Sequence, residues 1–143
     1  MSFLDGTDGM AFAAATWARF DEEVPDDLLR AVSAAFALVS AADGSVSQSE
    51  IERFAGVLAS ASDRFPTLDI AKLEGLFRQL GQALLSDPAD GRKRLLTEVA
   101  TVKDDARKRD LVRAAAFIAV AADGRTLASE HAVLSEIAAA LGL

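Results

Sequence analysis

The chain is predicted to fold as an all-α protein, a compact bundle of about seven helices. Ala and Leu dominate the composition and only 3 of the 143 residues are proline, and both features favour helix. Apolar residues recur at a spacing close to the helical repeat along successive segments. No segment alternates apolar and polar residues between turn residues, so no strand is predicted.

The segments follow one another with short connections, as expected for one domain over residues 1–143. Residues 1–9 are expected to form a loose lead-in. Helices are then predicted over 10–20, 27–43, from 47 to before 65, from 67 or 69, from 87, from 104 or 105 to 124, and about 128–141.

Helix-capping residues mark several of these boundaries. Ser47 and Glu50 have the spacing of a capping box, and Asp87 precedes a proline at the first helical position. Gly44 and Gly142 are predicted to end helices in the left-handed conformation.

Composition and charge exclude several classes of function. The net charge of −7 disfavours nucleic acid, whose phosphates are also negative. The absence of cysteine excludes disulfides and thiolate sites. The start lacks a basic segment, and the apolar run over residues 31–42 is shorter than the roughly 20 residues that span a bilayer. We therefore expect a cytoplasmic protein, with peripheral membrane contact left open.

One acidic motif occurs twice, over residues 41–50 and 121–130, at an offset of 80 residues without a gap. Each copy reads Ala-Ala-Asp-Gly and ends in Ser-Glu. Each follows an apolar helical segment and precedes an amphipathic one. We predict an internal pseudo-two-fold repeat of two helix–turn–helix units, with four equivalent carboxylates at Asp43, Glu50, Asp123 and Glu130.

The motif has three interpretations. In the first, Asp-Gly ends one helix and Ser-x-x-Glu begins the next, so the acidic corner between the two helices consists only of helix caps. This leaves Asp43 and Asp123 at helix C-termini, where an anion is unfavourable. It also leaves Glu130 without a reciprocal cap, because Leu127 stands where the first copy has Ser47, although Thr126 or Ser129 could cap in another register.

The second interpretation is a divalent-cation site formed by the four carboxylates. The motif resembles the second half of an EF-hand loop, but Val39 and Ala41, and their counterparts 80 residues later, replace the first ligands. Hard oxygen ligands suit calcium, magnesium or manganese. The third interpretation, catalysis, lacks a nucleophile paired with the single histidine, His131, so no catalytic residue is predicted.

These residues carry a family resemblance. The acidic motif after an apolar helix, the Phe77 helix, and the ending from Ala119 to Gly142 resemble the tellurite-resistance TerB family. The resemblance implies a non-enzymatic stress-response protein that acts beside a TerC-like membrane protein and a TerD-like calcium-binding protein. Arg125 departs from the family pattern and puts a second cation site in doubt, so Asp43 with Glu50 is the preferred pair. The alternative is a generic helical adaptor whose acidic corners are only helix caps.

Overall fold

Seven helices make up the described part of the chain, and no strand is present there. The computed structural model describes residues 6–20, 22–42, 47–60, 63, 65, 67–123 and 128–143, and gives only the backbone of 6–11, 123 and 128–130. The helices are α1 (Gly6–Ala18), α2 (Asp26–Ser40), α3 (Gln48–Ser60), α4 (Ile70–Ser86), α5 (Pro88–Ala100), α6 (Ala106–Asp123) and α7 (Ala128–Ala140). The all-α prediction is confirmed.

Helix α2 is the centre of the bundle. It contacts α3, α4, α5, α6 and α7, so neighbours surround it. The sequence predicts one apolar stripe on this helix, yet every residue from Ala31 to Ser40 is buried. Small alanines allow this close packing on all sides. The buried hydroxyls of Ser33 and Ser40 donate to the carbonyls of Leu29 and Ala37, which satisfies them within the helix.

Helix α1 packs mainly against α6. It begins at Gly6, four residues before the predicted start at Met10, so part of the predicted loose lead-in is helical. Trp17 is fully buried, and its indole N–H donates to the Leu111 carbonyl at 3.0 Å. This tryptophan anchors α1 in the core.

Aspartate and serine caps start several helices where the sequence places them. The Ser47 hydroxyl accepts from the Glu50 amide, Asp69 from Lys72, and Asp87 from Asp90. Each bond satisfies an amide that the first helical turn leaves without a partner. Where the sequence leaves two candidates, Asp69 rather than Thr67 caps α4 and Asp105 rather than Asp104 caps α6.

The end of α7 has the glycine stop that the sequence predicts. Gly142 has a φ of 78°, the left-handed conformation that glycine adopts most readily. Its amide donates to Ala139, and the amide of Leu143 donates to Ala138. These two bonds form a Schellman motif. The corresponding predictions for Gly44 and Gly124 lie outside the described residues.

Candidate cation site

The structure describes the four predicted carboxylates to different extents. Glu50 is the third residue of α3, and its side chain is described. Glu130 is likewise the third residue of α7, and Asp123 is the last residue of α6, but only their backbones are described. Asp43 lies outside the described residues. Convergence of the four carboxylates therefore stays a prediction.

The two helix–turn–helix units share most of their helix boundaries at the offset of 80 residues. α2 and α6 begin at Asp26 and Ala106, and α3 and α7 cover 48–60 and 128–140. α2 contacts α7 and α3 contacts α6, the reciprocal contacts that a two-fold arrangement requires. A pseudo-two-fold axis itself remains a prediction.

The units differ where the first helix of each ends. α6 continues to Asp123, whereas α2 ends at Ser40, three residues before Asp43. The predicted end of this helix at Asp43 is therefore wrong. The amide of Ala42 bonds to the Val39 carbonyl, three residues back, and this tighter turn ends the α-helical ladder. Asp43 itself lies outside the described residues.

The described carboxylate, Glu50, is half-buried at the N-terminus of α3. Its Oε2 accepts from Nε and Nη2 of Arg53, at 3.3 and 3.2 Å. The positive end of the α3 dipole also favours a negative side chain here. The Arg53 guanidinium and the α3 dipole therefore both stabilise the negative charge of this carboxylate.

The Glu50–Arg53 pair contributes little stability by itself. The two residues are three apart on the surface of one helix, with 40% of the Arg53 side chain exposed. Exposed pairs of this kind contribute at most about 1 kcal/mol.

A network of charged and amide side chains lies beside Glu50, and the sequence does not predict it. Arg78 of α4 donates to Glu52 of α3 at 2.9 Å and lies 3.5 Å from Glu74, while Gln82 donates to Gln48 at 3.0 Å. The hydrogen bond from Arg78 lowers the pKa of Glu52. This network fixes the first turns of α3 against α4 and so sets the position of Glu50. The spacing of Glu74 and Arg78 signals a pair within α4, but Glu52 is too distant in sequence to be found that way.

No three described side chains of His, Asp or Glu lie together in a metal-binding arrangement. Three of the four predicted ligands are outside the described side chains, so this absence does not test the predicted site. Some of the described charged residues form pairs between helices. Arg92 of α5 pairs with Glu136 of α7, and Arg30 of α2 pairs with Glu98 of α5.

Residues 29–143 match the sequence profile of a protein family described as Tellurite resistance protein TerB. The match covers most of the chain and includes both acidic motifs. The chain belongs to the TerB family. Searches among curated proteins and among solved structures found no match. In this TerB chain the matched region begins in the first turn of α2, so α1 precedes it.

This TerB chain has a basic cluster over residues 107–109, and two of its side chains form ion pairs. Arg107 lies 3.0 Å from Glu22, and Lys108 lies 2.8 Å from Asp27. Both pairs are partly exposed. Within the described part of the chain, no helix is long and apolar enough to cross a bilayer. His131 is half-buried.

Proposed function

We propose that this TerB-family chain is a non-enzymatic tellurite-resistance and stress-response component that binds a divalent cation at its acidic helix junctions. The observation that carries the proposal is the repeated placement of a glutamate as the third residue of α3 and of α7, each preceded in the sequence by Asp-Gly. Four carboxylates at the two junctions supply oxygen ligands of the kind that calcium, magnesium and manganese prefer.

We favour Asp43 with Glu50 as the stronger half of the site. Glu50 is fixed at its backbone by the Ser47 cap, and its carboxylate accepts from the exposed Arg53. The second junction contains Arg125, whose charge would oppose a cation. A direct contact with tellurite is disfavoured, because the anion would approach a chain of net charge −7.

Calorimetric titration with calcium, magnesium and manganese tests this proposal. We expect saturable heat and a rise in melting temperature, because a ligand at about 100 times its Kd stabilises the native state by about 2.7 kcal/mol. The Asp43→Asn/Asp123→Asn variant should bind at least about tenfold more weakly, a loss of about 1.4 kcal/mol.

A matched control separates a specific site from general electrostatic attraction. Glu23→Gln/Asp104→Asn removes the same charge from two exposed positions far from the motif in sequence. Equal loss of affinity in both double variants would assign the heat to the overall negative charge. No heat and no thermal shift for the native chain would leave the adaptor function, in which the corners only cap helices.

The adaptor alternative has a specific observation in its favour, the hydrogen bond from the Glu50 amide to the Ser47 hydroxyl. It accounts for Ser47 by helix capping alone. It predicts that the Asp43→Asn/Asp123→Asn variant binds cations as the native chain does.

We further propose that the chain acts in the cytoplasm, docking on a TerC-like membrane protein and a TerD-like calcium-binding protein. The family membership supports this proposal, together with a surface rich in exposed carboxylates. Co-purification of tagged chain with each partner, with and without calcium, tests it. Retention of neither partner under both conditions would contradict docking.

A further inference from the structure

A cleft between α1 and α6 brings together side chains that the candidate cation site does not use. Its volume is about 160 Å³, close to the roughly 150 Å³ of an engineered cavity that holds benzene. The cleft therefore suits a molecule with few heavy atoms. The lining residues are Phe12, Thr16, Arg19, Phe20, Arg107, Asp110 and Leu111.

The walls of this cleft are fixed by contacts within the protein. Trp17 bonds to the Leu111 carbonyl at 3.0 Å, and the Thr16 hydroxyl donates to the Phe12 carbonyl at 2.8 Å. Phe20 is 5% exposed and packs edge-on against Trp17, with ring centroids 5.9 Å apart. The apolar part of the cleft thus exists without a ligand.

One of the two arginines in the cleft already has its charge balanced. Nη1 of Arg107 lies 3.0 Å from Oε1 of Glu22, and the guanidinium carbon lies 4.9 Å from the centre of the Phe20 ring. Ion pairing and the cation–π contact hold this side chain over the ring. Arg107 therefore forms a wall of the cleft rather than an unpaired cation.

Arg19 and Asp110 differ from Arg107 in this respect. Both line the cleft and both are exposed. Neither side chain forms an ion pair or a hydrogen bond with any described residue, and their charged groups are too far apart to pair with each other. A molecule that forms an ion pair with each group carries a negative and a positive charge.

We propose that this cleft binds a small amino acid as its zwitterion. The carboxylate lies at Arg19, where a guanidinium can donate two parallel hydrogen bonds. The ammonium group lies at Asp110, and an apolar side chain packs against Phe12 and Leu111. This function is separate from the proposed cation site and uses none of its residues.

Titration followed by nuclear magnetic resonance tests the proposal. Trp17 is the single tryptophan of the chain, and its indole N–H bonds to a residue that lines the cleft. The indole signal is therefore a single reporter beside the ligand. L-leucine is the probe, and isocaproate and isoamylamine are matched compounds that lack its amino group and its carboxylate. We expect saturable shifts with leucine in the millimolar range and about tenfold weaker binding of each analogue.

Substitutions in the cleft separate this site from weak general binding. Arg19→Gln and Asp110→Asn should each weaken leucine binding about tenfold, because each removes one charged hydrogen bond. Lys93→Gln and Asp104→Asn make the same charge changes at exposed positions of other elements and should leave binding unchanged. Both cleft residues are exposed, so the variants should fold as the native chain does, which the dispersion of their spectra checks.

Three results would overturn the proposal. The first is the absence of a saturable shift with leucine. The second is equal binding of leucine and isocaproate, which would mean that the cleft takes a simple anion. The third is native affinity in both Arg19→Gln and Asp110→Asn, which would place the binding elsewhere on the molecule.

Discussion

At the scale of single residues, ion pairs connect several neighbouring helices. Arg30 of α2 donates to Glu98 of α5 from two guanidinium nitrogens, at 3.2 and 2.8 Å. The hydrogen bond from Arg30 and its positive charge lower the pKa of Glu98, against the opposing effect of burial. This pair ties the central helix to its neighbour, and it makes part of the stability depend on pH.

Stability from the Arg30–Glu98 pair should disappear in acid. The folded state holds Glu98 at a lower pKa than the unfolded chain, so the contribution is complete above the unfolded value of about 4.3. It is lost as the pH falls through the lowered value. Since 40% of the Arg30 side chain is exposed, the contribution is at most about 1 kcal/mol.

Urea unfolding of Arg30→Gln and the native chain at several pH values measures this effect. The difference in unfolding free energy should be largest near neutral pH and should shrink below about pH 4. Lys93→Gln, an exposed substitution of the same charge on α5, is the control and should show no such trend. A difference that does not change with pH would mean that Arg30 does not lower the pKa of Glu98.

At the scale of elements, capping residues and helical periodicity predict most of the fold. Ser47, Asp87 and Gly142 sit at the helix ends that their chemistry favours, because capping depends on the few residues next to each end. The end of α2 is not predictable in this way. The helix stops at Ser40, since a hydrogen bond between residues three apart closes its last turn. The Asp-Gly signal lies farther along the chain.

The close contact between α4 and α5 depends on Gly91. A Cβ at this position would lie 2.5 Å from the Ala83 carbonyl oxygen and 2.8 Å from the Leu84 nitrogen. Both atoms belong to the backbone, so only a shift of the helices could relieve the contact. The sequence gives no signal for this approach, because it depends on how two helices pack.

We expect Gly91→Ala to destabilise the protein by about 1–3 kcal/mol, the usual result of overpacking. Gly75→Ala is the matched control, since Gly75 lies exposed in α4 with nothing within 4 Å of a new Cβ. This control should stabilise the protein by roughly 0.5–1 kcal/mol, because alanine is the better helix former. Thermal unfolding of both variants measures the contrast, and equal melting temperatures would contradict the close contact.

At the scale of the whole molecule, two helix–turn–helix units enclose a common core through α2 and α6. The sequence shows the repeated acidic motif and the family, because both rest on residues in a fixed order. It cannot show whether acidic side chains from two distant junctions meet, because that depends on the relative placement of α3 and α7. Of the four predicted ligands, the described structure places the carboxylate of Glu50 and its partner Arg53.

The most direct test of the cation site is a crystal structure grown with manganese, with the ion located by its anomalous scattering. We predict one manganese peak at the junctions, with carboxylate oxygens of Asp43 and Glu50 within about 2.0–2.6 Å, the range of hard cations. In that structure Glu50 turns from Arg53 to the ion, and Asp123 or Glu130 completes the ligands. Carboxylates on separate faces of the molecule, with no peak at either junction, would contradict the account.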